Sequence, residues 1–156
     1  MREVRRSALV PHTPEQMYRL VNDVRRYPEF VPWCPATRVH EESPESITAT
    51  VDMQRAGVRV ALTTRNTMRP GETIEMTLVE GPLKSFAGRW QFVPIRAPGE
   101  GDAPGPVRGC RVELAVDFEF RSAALGVVLG PLFESTWNGL VDAFVRRAWE
   151  VYRDGS

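Results

Sequence analysis

The sequence predicts an α+β fold in which a curved antiparallel sheet of about six to seven strands wraps around one long C-terminal helix. Three observations predict it. Apolar and polar residues alternate with period two through most of the stretch from 46 to 120, the mark of strands with one buried and one wet face. From residue 122 onward the period changes to three and four, as on a helix that buries one stripe. The pieces between the alternating runs (SPES, QRAG, RPGE, EGPL) carry turn chemistry and are short enough for hairpins. At 156 residues the chain fits one domain, 1–156, that can bury a sizeable core.

The elements follow in order. EVRRSALV (3–10) reads as a first strand ended by Pro11. In TPEQMYRLVNDV, Thr13 is placed as an N-cap, Pro14 as the first helical residue and Gln16 as the far half of a capping box. Met17, Leu20, Val21 and Val24 then form an apolar stripe. Five alternating runs come next. Their inner faces carry Ile47, Ala49, Val51 and Met53; Val58, Val60 and Leu62, continuing through Thr64, Asn66 and Met68; Ile74, Met76 and Leu78; Phe86, Gly88, Trp90 and Phe92; and Cys110 through Phe120. Residues 94–109, with four prolines and four glycines, are expected to form a mobile, solvated hairpin connection. In the final segment Leu125, Leu129, Phe133, Trp137, Leu140, Phe144, Ala148 and Val151 share a stripe. A helix of about 22 residues there measures roughly 33 Å and crosses a whole sheet. Pro131 is expected to kink or restart it.

Composition excludes several classes. Twenty basic residues balance twenty acidic ones, so no overall field directs the chain to DNA or to an anionic membrane. No signal peptide is expected, since MREVRRSALV runs directly into strand-like sequence, and AALGVVLGPLF (123–133) is too short to span a bilayer. A cytoplasmic protein is expected. Cys34 and Cys110 are read as buried free thiols. His12 and His40 stand in no metal-ligand spacing and are expected at the surface. No nucleophile elbow, P-loop or dinucleotide fingerprint occurs, and Cys34 lies in an uncharged setting that does not activate a thiol.

DVRRYPEFVPWCP (23–35) sets Tyr27, Phe30 and Trp33 among three prolines that forbid a long helix or an inner strand. Two readings stay open. The aromatics cap the mouth of a cavity left where Gly88, Gly126, Gly130 and Gly139 thin the sheet and helix, or they and the glycines complete close packing.

LVPHTPEQMYRLVNDVRRYPEFVPWC, TTRN (63–66), EGPLKSFAGRWQF (80–92), VDFEF (116–120) and LGPLFESTWNGLVDAFVRRAWEVY together resemble a known family. It is that of the START-like coenzyme Q-binding and ribosome-association toxin (RatA) proteins, within the polyketide cyclase and lipid-transport superfamily. The resemblance covers nearly the whole chain. It departs in the longer Pro/Gly-rich loop and in Pro131. It implies a helix-grip fold (START-like, Bet v 1-like) whose cavity holds a hydrophobic molecule, typically a polyprenyl quinone such as ubiquinone, with no bond chemistry and no required cofactor. The cavity and lid residues expected on this basis are Tyr27, Phe30, Trp33, Met53, Leu62 and Asn66 with Met76, Phe86, Trp90, Phe118, Phe133 and Trp137. Arg65, Asn66 and Trp90 are the candidates to donate to the quinone headgroup, although the parity of Arg65 opposes that of Leu62 and Asn66. A quinone carrier also implies transient membrane contact, peripheral to an inner membrane.

Two rival functions are weighed beside it. Relatives elsewhere in the superfamily cyclise polyketides, a chemistry that wants ionisable groups on the cavity wall, and the inner-face positions offer mostly Asn66 and hydroxyls. Other relatives are toxins that bind the large ribosomal subunit and block subunit joining. For that role Arg2, Arg5, Arg6, Arg25 and Arg26 are the candidate RNA contacts, if the first strand and first helix lie together.

Overall fold

The computed structural model describes residues 1–152. Strand β1 (Arg2–Val10) leads into helix α1 (Pro14–Asn22), a single 3-10 turn at Val24–Arg26 and the short helix α2 (Tyr27–Phe30). Six strands follow: β2 (Thr37–Glu42), β3 (Ser46–Arg55), β4 (Val58–Arg69), β5 (Thr73–Glu80), β6 (Leu83–Arg96) and β7 (Val107–Phe120). Helix α3 (Ala123–Val151) ends the described chain. The seven strands form one sheet in the order β1-β7-β6-β5-β4-β3-β2, antiparallel throughout. Strands β2 to β7 are thus a meander, and β1 returns to pair with the last of them. The sheet grips α3, which packs on β1 and β7 near one edge and on β3 near the other.

Local chemistry explains the elements. Thr13 accepts from the Gln16 backbone N–H and the Gln16 side chain accepts from the Thr13 N–H, so the capping box closes as the sequence predicts. The β3–β4 turn holds Ala56 at φ 52° and Gly57 at φ 81°, the left-handed pair that a two-residue hairpin needs. Pro94 stands inside β6 opposite Cys110, beyond the reach of β5, which pairs only with Ala87–Gln91. Its missing N–H therefore faces an open edge and breaks no ladder. Strand β2, which the sequence pattern did not mark, pairs with β3 and bulges between Val39 and Glu41.

Two expectations are corrected here. Helix α3 neither stops nor restarts at Pro131 but runs for 29 residues, about 44 Å at 1.5 Å per residue. Val127, Val128 and Pro131 are all exposed, so the carbonyl that loses its partner at Val127 opens to water. Packing of Leu129, Leu132 and Phe133 on the other side holds the helix together. His12 is not a surface residue: it is 6% exposed and lies against Trp149 and Tyr152, ring centroids 5.2 and 5.8 Å away. The α1–β1 corner folds beneath the end of α3, and the imidazole fills that space. His40 is exposed, and its Nε2 meets the Thr50 hydroxyl at 2.7 Å. Cys34 and Cys110 are buried and unpaired; burial pushes both thiols up to about 11. No helix among the described residues is long and apolar enough to cross a membrane.

Candidate functional site

The floor of the site is the inner face of the sheet. Period two places Ala49, Val51 and Met53 of β3 beside Leu62, Thr64 and Asn66 of β4, with Met76 of β5 and Trp90 of β6 beyond. Helix α3 supplies the opposite wall through Thr136, Trp137 and Leu140, one turn of one face. The aromatic-proline segment forms the rim, contributing Val24, Tyr27 and Trp33. Together they line an apolar cavity of about 50 Å³.

The lid is tied down on three sides. Tyr27 is buried and its hydroxyl donates to the Val21 carbonyl. Tyr27 and Phe30 both meet the ring of Phe144 on α3 edge to face, at 5.3 and 5.4 Å between centroids. Arg147 of α3 lies over the Phe30 ring at 5.1 Å and pairs with Glu29 at 3.2 Å. Beyond α2 the chain runs along β3, where Gln54 N–H donates to the Trp33 carbonyl and Asp52 N–H to that of Ala36. The lid is thus an irregular continuation of the sheet edge.

Of the residues nominated from sequence, Tyr27, Trp33, Met53 and Leu62 stand on the cavity wall, as do Asn66, Met76, Trp90 and Trp137. The other four do not. Phe30 sits on the outer side of the lid between Phe144 and Arg147. Phe86 meets the Trp137 ring at a tilt, 5.5 Å between centroids, and is not on the cavity wall. Phe118 and Phe133 are fully buried and pack with Phe120 beneath the start of α3, away from the cavity.

Arg65 faces solvent, because its parity is opposite to that of Asn66. Of the glycine hollows, those at Gly88 and Gly130 are filled, whereas a Cβ at Gly139 would meet nothing within 4 Å. A Cβ at Gly88 would strike the Met76 methyl, and one at Gly130 would meet the Arg2 guanidinium. Arg2 lies along α3, donating to the Gly126 carbonyl at 3.2 Å and pairing with Glu134 at 2.8 Å. Wall residues Val24, Ala49, Val51, Thr64, Thr136 and Leu140 were not nominated. Parity with Met53 and Leu62 was a usable signal for Ala49, Val51 and Thr64.

The cavity's polar atoms are few and neutral. The Thr64 hydroxyl donates to Asn66 Oδ1 at 2.8 Å. Thr136 Oγ1 and Trp137 Nε1 are buried without a hydrogen-bond partner. Among the described residues no carboxylate, amine, guanidinium, imidazole or thiol stands on the wall, and burial pushes the Tyr27 phenol up. No group of three or more potential metal ligands occurs among the described residues.

The arginines nominated for RNA do not form one patch. Arg2, Arg5 and Arg6 lie on β1 and pair with Glu134, Asp117 and Asp142. Arg25 pairs with Glu42 of β2, at the other edge of the sheet, and Arg26 with Asp23 and Glu29.

Comparison with known proteins places this architecture. A family described as polyketide cyclase/dehydrase and lipid transport matches residues 10–145. Over 152 residues the chain is 42% identical to a Vibrio cholerae protein named ribosome association toxin RatA, covering 97% of this chain and 99% of that one. It is 27% identical over 139 residues to the mitochondrial coenzyme Q-binding protein of Drosophila melanogaster, covering 88% of this chain and 54% of that protein. Among solved structures, the ZhuI aromatase/cyclase of a Streptomyces species superposes with a TM-score of 0.80 at 18% identity, over 99% of this chain and 98% of that one. A START superfamily protein of Mycobacterium smegmatis gives 0.73 at 18% identity, over 96% and 98%. At such identities the structural likeness is one of fold. The family match and the RatA identity are of another order: this chain belongs to the polyketide cyclase/dehydrase and lipid transport family, and within it to the RatA proteins.

Proposed function

We propose that this protein binds a hydrophobic molecule, a polyprenyl quinone such as ubiquinone, between sheet and α3, and carries it without transforming it. One observation carries the reading: the space between sheet and helix is walled by apolar side chains and a few uncharged polar atoms. Burying an isoprenoid chain there contributes about 0.8 kcal/mol per CH₂ group. A reaction would need an acid or base on the wall, and the wall's one phenol is held by the Val21 carbonyl. The name of the Drosophila relative supports the quinone as ligand.

The cavity of about 50 Å³ is small beside the roughly 300–1,000 Å³ of ligand pockets in general. Binding must therefore widen it. Met53 and Met76 are unbranched and can swing aside, and α2 runs out into an irregular stretch, residues 31–36, that can give. A quinone dwells in a bilayer, so loading implies transient contact of this cytoplasmic protein with an inner membrane. The test is organic extraction of protein purified from a quinone-producing host, with mass spectrometry of the extract. Stoichiometric quinone, lost in Trp33→Ala, supports the reading; an empty protein that also refuses added quinone overturns it.

A second reading is favoured by the 42% identity with RatA across nearly the whole chain: association with the large ribosomal subunit. Each nominated arginine is already ion-paired, so an RNA phosphate would have to displace a carboxylate. Co-sedimentation with large subunits that falls steeply with salt, and is lost when Arg2, Arg5 and Arg6 become Gln, supports this reading. Salt-independent or absent co-sedimentation overturns it.

A further inference from the structure

We infer that Thr136 Oγ1, Trp137 Nε1 and the Asn66 amide form a headgroup subsite built of neutral donors, so that the ligand must present uncharged oxygen acceptors and no anion. The inference rests on the apolar-ligand reading above and specifies what that ligand looks like at its polar end.

Thr136 is 2% exposed and Trp137 6% exposed. They are neighbours on the α3 wall of the cavity, and their polar atoms meet no partner. Both omissions are unusual. A threonine inside a helix ordinarily gives its hydroxyl hydrogen to the carbonyl one turn back, and a buried indole N–H ordinarily finds an acceptor. An indole N–H can only donate, so whatever satisfies Trp137 has a lone pair. Across the cavity, Asn66 lends its carbonyl oxygen to the Thr64 hydroxyl, which leaves the amide NH₂ as its unspent part.

Three residues bearing such donors stand on the walls of one space, and no positively charged side chain stands on those walls among the described residues. A carboxylate or phosphate brought there would be stripped of water without a countercharge. A carbonyl, ether or ester oxygen would be satisfied. The subsite therefore selects neutral quinones and similar oxygenated isoprenoids over fatty-acid anions and phospholipid heads. A hydrocarbon of the same length fills the apolar part but leaves the donors unmet.

The experiment uses two near-isosteric variants, Thr136→Val and Trp137→Phe, and three probes followed by quenching of the remaining tryptophans: a ubiquinone with one isoprene unit, an oxygen-free isoprenoid hydrocarbon of matching length, and laurate at pH 8. The wild type is expected to bind the quinone best and laurate not at all. Each variant is expected to bind the quinone about tenfold more weakly, with hydrocarbon affinity unchanged or improved. The empty variants are expected to melt at or above the wild-type temperature, because an orphaned polar atom has been replaced by an apolar one.

Equal loss of quinone and hydrocarbon would show that the side chains only shape the cavity, and would overturn the subsite. So would unchanged quinone affinity in both variants, or tight laurate binding. A wild type that binds neither quinone nor hydrocarbon overturns the carrier reading itself, a separate and recognisable failure.

Discussion

Phe144→Ala is the substitution that bears most directly on how the lid is held. The ring is fully buried and meets Tyr27, Phe30 and Trp90 edge to face, at centroid distances of 5.3, 5.4 and 5.4 Å. Truncating a buried phenylalanine costs about 3–5 kcal/mol. Each edge-to-face pair adds about 0.5–1.5 kcal/mol beyond area, so three of them place this residue at the upper end, about 4–5 kcal/mol. For a chain of this size about 2–4 °C accompanies each kcal/mol, giving a fall in Tm of about 8–20 °C. Urea titration gives the free energy and scanning calorimetry the Tm. A cycle with Phe30→Ala isolates the lid's share, expected at about 0.5–1.5 kcal/mol of coupling. A loss below about 2 kcal/mol for the single variant, or additive effects in the cycle, would refute the claim that Phe144 anchors α2.

Three further outcomes are expected. Gly88→Ala drives the Met76 methyl toward the cavity; because that methyl is the free end of a flexible side chain, the stability cost is about 1 kcal/mol, while uptake of a short-chain quinone falls, as calorimetry and quenching will show. His12 is held below its usual range by burial, so the unfolded chain binds the proton more readily; stability is full above about pH 6.5 and declines as pH falls below that value. In His12→Phe that slope of denaturant midpoint against pH is reduced. Native Cys34 and Cys110, pushed up to about 11, are expected to react with iodoacetamide at pH 8 at least about a hundredfold more slowly than in denaturant; equal rates would show that they are not buried.

The parts of this molecule legible in its sequence are those set by neighbours in the chain. The capping box of Thr13 and Gln16 is a matter of four residues, and the inward face of β7 is fixed by period two from Cys110 to Phe120. Strand β2 escaped notice because only Thr37 and Val39 carry its half-buried face and a bulge interrupts its parity. The hollows expected at Gly88 and Gly130 are filled by Met76 and Arg2, which no local pattern can announce. Phe118 and Phe133 share the periodicity of the cavity residues but lie farther along the sheet and helix. Period tells which way a side chain points and not how far along the element the space opens. Thr136 escaped for a related reason: it stands beside the stripe that Trp137 and Leu140 mark, and only its missing hydrogen bond gives it meaning.

The return of β1 to the last strand also sets a schedule. Arg2 pairs with Phe118 and Val10 with Cys110, so the first strand finds its partner only after about a hundred more residues have been made, a wait of about 5–20 s at the usual pace of synthesis. Through that interval β1 is a bare strand carrying Val4, Ala8 and Val10, open to a second nascent copy of the same chain. Arg2, Arg5 and Arg6 of that strand have their carboxylate partners on β7 and α3, the last elements to emerge.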